Sequence, residues 1–242
     1  MSRLRIMPVG DSLTRGSYLA RYADGLYAGQ AIGLPHPLGG GWRAMLQQRL
    51  REAGARYTFC GDLASAALGD AAGRIAPGFS PRHHGLAGFG NQAILDGGVV
   101  PTPPDVLQRL GCAQLVARDL VSALRAHRPT AVLLMSGSNG FDAEARDRLI
   151  RAVLDHLEGR LFVATIPPQL PPREGWERVT AYNASLPATV AKLRAAGAAI
   201  TLADIHARFD AGADLLPDGV HPNADGMRKI AEGWFAALSD IY

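Results

Sequence analysis

The sequence predicts an α/β protein, a three-layer α/β/α sandwich built on a mostly parallel, five-stranded sheet. Short apolar, β-branched runs alternate with segments of helical periodicity over the 242 residues, which is the pattern of βαβ units. The run at 131–135 is apolar throughout, as expected of a strand covered on both faces. Neither a repeat nor a clear linker interrupts the pattern, so we expect one domain over 1–242.

The strands are predicted from their apolar runs, each bounded by polar or turn-forming residues. The first run, Leu4 to Val9, is followed directly by a glycine, and the fourth ends at two prolines. The five predicted strands cover 4–9, 57–60, 131–135, 161–166 and 199–203. Between them, the glycine-rich segments 15–41 and 62–102 are predicted to be mostly irregular.

The helices are predicted from apolar residues that recur three and four positions apart. Gly54 stands where the first helix should stop, and Asn223 is a candidate N-cap for the last one. The predicted helices cover 42–53, 113–127, a segment with its apolar face at 149–157, a segment that ends near 196, and a segment with its apolar face at 227–238.

Composition and charge restrict the function classes. Hydrophobic residues make up 48% and charged residues 19% of the chain, as in a globular protein, and the net charge of +3 includes no dense Lys/Arg run. We therefore expect no nucleic-acid partner. No stretch approaches the roughly 18 apolar residues of a membrane span, and the N-terminal apolar run is too short for a signal peptide. We expect no membrane partner, a cytoplasmic location, and buried free thiols at Cys60 and Cys112.

The segment Gly10-Asp11-Ser12-Leu13-Thr14 directly follows the first predicted strand. Sites in parallel sheets form at the carboxyl ends of strands. A serine is a weak nucleophile until a base removes its proton. A preceding glycine allows a tight turn and leaves the serine N–H to face a bound oxygen. We interpret Ser12 as a candidate nucleophile, although on this segment alone an ordinary turn capped by a serine is an equal alternative.

Asp218 and His221 lie three residues apart, just before the last predicted helix. A short loop can bring the carboxylate to the Nδ1–H of the imidazole, which leaves Nε2 to accept a proton. This predicts His221 as general base and Asp218 as its partner, with an exposed surface loop as the alternative. The pair His83-His84 is too weak a pattern for zinc, so we expect no metal and no cofactor. The other histidines, which lack such a partner in the sequence, are His36, His127, His156 and His206.

Two further segments could supply hydrogen-bond donors to an oxyanion. Asn139 lies in Ser136-Gly137-Ser138-Asn139-Gly140, directly after the third predicted strand, and its side-chain amide can donate. Gly88 lies in the glycine-rich loop, where a backbone N–H could approach closely. Asn beside Gly is also an ordinary turn signal, so Asn139 alone would not establish the role.

Together these segments resemble the SGNH (GDSL-type) hydrolase superfamily, in family order and over nearly the whole chain. The resemblance implies a flavodoxin-like fold, a catalytic triad of Ser12, Asp218 and His221, and an oxyanion hole formed by Ser12, Gly88 and Asn139. The flanking residues, 40–43, 84–89 and 218–226, are similar to carbohydrate acetylesterases of the acetylxylan esterase type.

This chain departs from the family's pattern at two places. Gly140 stands where the family usually has Asp, so the loop around Asn139 is expected to be held differently. His84 and Leu86 replace the usual Glu and His near the glycine block, and 15–41 is a long insert or lid loop. The resemblance implies a serine esterase that acts on a short acyl ester, such as acetyl, of a saccharide or other small alcohol.

Three alternatives use the same fold. An acyltransferase would use the same residues and pass the acyl group to an alcohol. A non-catalytic binding module would keep the fold without turnover. A flavin or nucleotide binder would share the architecture, but the first strand-end loop has neither a GxGxxG nor a P-loop pattern.

Overall fold

The computed structural model describes residues 3–21, 31–35, 40–64, 79–99 and 116–242. Its strands are β1 (Leu4–Gly10), β2 (Ser17–Arg21), β3 (Ala31–Pro35), β4 (Tyr57–Phe59), β5 (Leu63–Ala64), β6 (Arg82–Gly85), β7 (Gly98–Val99), β8 (Val116–Ala117), β9 (Ala131–Met135), β10 (Arg160–Ala164) and β11 (Ile200–Ala203). Its helices are α1 (Ser12–Arg15), α2 (Trp42–Glu52), α3 (Asn91–Asp96), α4 (Leu120–His127), α5 (Ala143–His156), α6 (Arg178–Ala184), α7 (Leu186–Ala195), α8 (Ala211–Asp214) and α9 (Ala224–Ala237).

The central sheet confirms the predicted fold class. Its strands run in the order β11-β10-β9-β1-β6-β5. β4 pairs with the first half of β1 and β6 with its last two residues. All pairs are parallel except β5 with β6. The five predicted strands are present as β4, β1, β9, β10 and β11 in that spatial order, which is the flavodoxin-like arrangement.

Two apolar clusters, one on each face of the sheet, form the core. Alternate residues of β1 contribute to opposite clusters, Ile6 to one and Met7 and Val9 to the other. On the first face α2 and α9 pack together, and the rings of Trp42 and Trp234 lie 5.9 Å apart. Helices α4 and α5 cover the second face. This three-layer packing fixes the carboxyl edge of the sheet, where the candidate site lies.

Several predicted boundaries differ from the structure. The segment 62–102, predicted as mostly irregular, contains β5, β6, α3 and β7. Strand β6 was missed because its sequence, Arg-His-His-Gly, is polar, although its two histidines are buried. The predicted insert at 15–41 contains the antiparallel pair β2 and β3. The aromatic residues Tyr22 and Tyr27 of that insert lie outside the described residues, and its lid role stays a prediction.

Two helix predictions were also wrong in their extent. The helix predicted over 113–127 begins at Leu120, where Asp119 accepts a hydrogen bond from Ser122 N, and β8 precedes it. The helix predicted to end near 196 is two helices, which meet at Ser185 because Pro187 lies in the first turn of the second helix. The last helix is confirmed, with the Asn223 side chain accepting from Asp225 N and Gly226 N.

Cys60 is a free, buried thiol at the end of β4, as predicted. Burial raises the pKa of this thiol to about 11, so it is protonated at neutral pH. Cys112 lies outside the described residues. Within the described part of the chain, no helix is long and apolar enough to cross a membrane.

Candidate active site

Ser12 is held in a tight turn at the carboxyl end of β1. Asp11 caps the short helix α1 by accepting a hydrogen bond from Leu13 N at 3.0 Å. A side chain on Gly10 would lie 1.9 Å from Met135 O, so only glycine lets β1 pack against β9 at this point. Ser12 therefore begins α1 at the sheet edge, with 7% of its surface exposed.

Helix α2 fixes the backbone that follows Ser12. The Trp42 indole donates to Leu13 O at 3.0 Å, and the Arg43 guanidinium donates to Thr14 O at 2.9 Å and to Arg15 O at 3.1 Å. Arg43 is completely buried, and this burial lowers its pKa to about 9, which still leaves it charged at neutral pH. These contacts explain the Gly-Gly-Trp-Arg segment, which sequence analysis related only to a family pattern.

The structure brings Ser12, His221 and Asp218 together as one hydrogen-bonded chain. His221 Nε2 lies 2.8 Å from Ser12 Oγ, and His221 Nδ1 lies 2.8 Å from Asp218 Oδ2. The His221 ring is 2% exposed and the Asp218 carboxylate 14% exposed. An ionised Asp218 accepts the Nδ1–H, so the arrangement favours the tautomer in which Nε2 accepts a proton from Ser12.

The Asp218 carboxylate also organises its own loop. Its Oδ1 atom accepts hydrogen bonds from Val220 N and His221 N, each at 2.9 Å. Partial burial by itself would raise the pKa of Asp218, but the hydrogen bonds and charge of His221 outweigh it, and the pKa lies below its ordinary value. Asp218 is therefore ionised at neutral pH, as the tautomer requires.

Gly88 and Asn139 are brought to neighbouring positions. Asn139 Nδ2 donates to Phe89 O at 3.2 Å, which ties the loop after β9 to the turn that contains Gly88. The turn that contains Gly88 is also bonded to the end of β1, because Leu86 N donates to Gly10 O at 2.8 Å. Gly88 is exposed and has a φ of 81°, a conformation that glycine adopts readily.

Asp11 is a part of the site that sequence analysis named without assigning it a role. Its buried Oδ2 atom accepts from Ser138 Oγ at 2.5 Å, Ser138 N at 3.2 Å and Gly137 N at 3.3 Å. Burial raises the pKa of Asp11 above its ordinary value, against the lowering effect of the hydrogen bonds from Ser138 and Leu13. This carboxyl group joins the Ser12 turn to the loop that carries Asn139.

The two adjacent histidines of β6 lie on opposite faces of the strand. His83 Nδ1 accepts from Gly85 N at 2.9 Å. His84 Nδ1 is 4.0 Å from Asp62 Oδ2, and the other oxygen of Asp62 lies 2.7 Å from His127 Nε2. Over the described ranges, no group of three His, Cys, Asp or Glu side chains is arranged to hold a metal ion.

A parallel α/β sheet with a hydrogen-bonded serine, histidine and aspartate at its carboxyl edge is the arrangement by which serine hydrolases are recognised. Within that class, the chain belongs to the GDSL-like lipase/acylhydrolase family, whose model matches residues 6–234.

One characterised relative is the "Multidomain esterase" of Ruminococcus flavefaciens. It is 27% identical to this chain over 253 residues, which cover 97% of this chain and 28% of that protein. The chain thus spans little more than a quarter of the length of this relative.

Two solved structures illustrate the fold. The family 3 carbohydrate esterase of Clostridium thermocellum has a TM-score of 0.66 at 24% identity and covers 99% of this chain and 97% of its own. A carbohydrate acetylesterase family member from Sinorhizobium meliloti has a TM-score of 0.58 at 17% identity and covers 98% of each chain. At these identities the likeness establishes the shared fold.

Proposed function

We propose that the protein is a serine esterase that hydrolyses a short acyl ester, such as an acetyl ester, of a carbohydrate or another small alcohol. The reaction proceeds through an acyl-enzyme on Ser12. The observation that carries this proposal is the 2.8 Å distance between Ser12 Oγ and His221 Nε2, since a serine becomes a nucleophile when a base can take its proton. Membership of the GDSL-like lipase/acylhydrolase family supports it.

Ser12 and His221 would carry out the chemistry in two halves. Ser12 Oγ attacks the ester carbonyl carbon while His221 Nε2 takes the hydroxyl proton, and Asp218 stabilises the imidazolium that forms. The imidazolium then returns the proton to the leaving alcohol. In the second half, His221 takes a proton from the water that attacks the acyl carbon. The acyl–Oγ bond then breaks, the imidazolium returns the proton to Ser12 Oγ, and the carboxylic acid leaves.

The negative charge on the carbonyl oxygen needs donors already in place. We assign this role to the backbone N–H groups of Ser12 and Gly88 and to the Asn139 side chain. The Asn139 amide carries two hydrogens, and among the described residues its nitrogen makes one bond, to Phe89 O. One N–H of the amide is therefore left for the oxyanion.

A small acyl group fits the burial of the reacting atoms. Ser12 is 7% and His221 1% exposed, which leaves little open surface at the reacting atoms for a bulky group. The carbohydrate part of the proposal draws on the names of the two similar structures, a carbohydrate esterase and a carbohydrate acetylesterase family member. The relative from Ruminococcus flavefaciens supports esterase activity in general.

The test is covalent labelling with a fluorophosphonate probe, followed by digestion and mass spectrometry, with p-nitrophenyl acetate hydrolysis on the same sample. We expect one adduct at Ser12 and a matching loss of activity. Ser12→Ala should abolish both labelling and turnover without unfolding the protein. Turnover similar to that of the intact chain in Ser12→Ala, or absence of labelling in folded protein, would refute the proposal.

Two further measurements define the substrate. The rate with p-nitrophenyl acetate should exceed that with the octanoate ester, and the opposite preference would refute the short-acyl part. Release of acetate from an acetylated xylo-oligosaccharide tests the carbohydrate part. Product analysis with added alcohols would reveal an acyltransferase, because a transferase forms a new ester where a hydrolase forms acetate.

A further inference from the structure

We propose that Asp11 and Arg173 are positioning residues that hold Ser138 from two sides, Asp11 at its N–H and hydroxyl and Arg173 at its carbonyl, and thereby fix Asn139 as an oxyanion donor. The inference rests on the proposed function, because Asn139 needs an exact position only if an oxyanion forms at Ser12. Neither residue has to touch the substrate, and both act through Asn139.

Asp11 holds the loop from the side of its hydrogen-bond donors. Its carboxyl group accepts from Ser138 Oγ and from two backbone N–H groups, those of Gly137 and Ser138. Ser138 is 1% exposed and Asp11 is fully buried, so water does not compete for these bonds. Because Asp11 immediately precedes Ser12, the same carboxyl group sets the loop relative to the nucleophile.

Arg173 holds the same residue, Ser138, at its carbonyl oxygen. Its Nη2 atom donates to Ser138 O at 2.9 Å, and the buried amide of Gln169 approaches the same oxygen at 3.5 Å. This carbonyl belongs to the peptide bond that leads directly into Asn139. Any shift of Ser138 O therefore moves the backbone that carries the Asn139 amide.

The setting of Arg173 favours a role beyond a simple surface charge. Among the described residues it has no carboxylate partner, and its buried Nε atom has no hydrogen-bond partner. An unsatisfied buried donor costs free energy, and such a cost is commonly found at functional sites. The segment that carries Arg173 is anchored to the other half of the site, because Leu170 N donates to Gly219 O at 2.8 Å, next to Asp218.

The residue after Asn139 cannot fix the position of this loop. Gly140 has no side chain, and a Cβ placed there would meet no atom within 4 Å among the described residues. The side chain of Asn139 itself makes, within the described ranges, a single bond, from Nδ2 to Phe89 O at 3.2 Å. The position of the loop therefore depends on what holds Ser138.

The test is a double-mutant cycle with p-nitrophenyl acetate as substrate. Removing an oxyanion donor outright typically costs on the order of 10²-fold in kcat, so we expect Arg173→Met, which only loosens the donor, to lose about ten-fold in kcat with KM nearly unchanged. In an Asn139→Ala background, the same substitution should cost less than about two-fold, because the group it positions is already absent. Ser138→Ala should behave like Arg173→Met.

Two variants serve as controls. Arg178→Met removes an exposed arginine of the same region that stacks 5.5 Å from the Phe141 ring, and it should leave kcat unchanged. Arg173→Lys keeps a donor for Ser138 O and should recover part of the lost kcat. If Arg173→Met does not fold, as judged by circular dichroism, Arg173→Lys and Ser138→Ala carry the same cycle.

An equal loss in kcat with and without Asn139, or full activity in both Arg173→Met and Ser138→Ala, would overturn the inference. These outcomes are distinct from failure of the proposed function, which would appear as absence of hydrolysis by the intact chain or as full activity in Ser12→Ala.

Discussion

His84 should make the protein unstable in mild acid, and His84→Leu should remove that sensitivity. The ring is fully buried on β6, and neither of its nitrogens has a hydrogen-bond partner among the described residues. Burial lowers the pKa of His84 from 6.5 to about 4, with smaller and opposing effects from Asp62, His127, Asp119 and Arg118. At neutral pH the ring is therefore uncharged.

The size of the effect follows from that pKa. Between pH 6.5 and about 4, His84 is protonated in the unfolded chain but not in the folded protein. The unfolded state binds more protons over this range, so the free energy of unfolding falls as the pH falls. At about 1.4 kcal/mol per pH unit, the loss between pH 7.5 and pH 4.5 is about 2.5 kcal/mol for this single histidine.

Urea unfolding at these two pH values measures the loss of unfolding free energy. The loss of stability on acidification should be about 2.5 kcal/mol smaller in His84→Leu than in the unsubstituted chain. Burial also lowers the pKa of His83, and since His84 is only the last and smallest of the causes of that shift, most of the His83 contribution is common to both proteins. The exposed His156, replaced by Gln, is the matched control and should change nothing. Equal acid sensitivity in His84→Leu and in the unsubstituted chain would refute the reasoning.

Three further predictions test the active site and the packing of β1 against β9. Asn139→Ala should lower kcat by about 10²-fold with little change in KM, and an unchanged kcat would exclude the oxyanion role. Asp218→Asn should lower kcat by about 10³-fold or more because asparagine favours the other imidazole tautomer, and a loss below about ten-fold would exclude Asp218 as the orienting group. Gly10→Ala should lower the free energy of unfolding in urea by about 3 kcal/mol, because its Cβ would lie 1.9 Å from Met135 O. Gly140→Ala, whose Cβ would meet no atom of the described residues within 4 Å, should cost almost nothing, and equal losses in the two variants would contradict the packing argument.

The sheet could be predicted because its strands carry a strong local signal. β9 is apolar at every position and buried at every position, so composition alone locates it. β6 carries the opposite signal, since Arg82, His83 and His84 are polar, and it lies in the sheet through its pairing with β1 and β5. Such a strand is determined by tertiary contacts, which no local pattern contains.

Two of the missed helix boundaries did have a signal in the sequence. Asp119 lies three residues before Ser122, whose N–H it caps at 2.8 Å, and this is the ordinary position for an N-cap. Pro187 marks the first turn of α7, because a proline is tolerated there and not inside a helix. Apolar periodicity continues across both boundaries, which is why it extended the predicted helices too far.

The residues of the site also divide into those that the sequence predicts and those that it does not. Ser12 could be proposed from its strand end and the pair Asp218 and His221 from its short loop before a helix, and the resemblance to the SGNH hydrolases joined them into one triad. The residues that brace them bond to backbone atoms far away in sequence, as Arg43 does with Thr14 O and Arg173 with Ser138 O. A backbone carbonyl has no residue identity, so no pair of side chains in the sequence marks these contacts.

These side-chain contacts to backbone atoms also explain how the loops of the site are held in fixed positions. The Ser12 turn is held from one side by α2 through Trp42 and Arg43, and from the other by Asp11 through Ser138. A shift of the nucleophile would therefore strain the loop that carries Asn139, and the two would move together. Since an oxyanion donor works only at its distance from the attacked carbonyl, we propose that coupling Asn139 to Ser12 through the one buried carboxyl group of Asp11 preserves that distance when the surrounding structure moves.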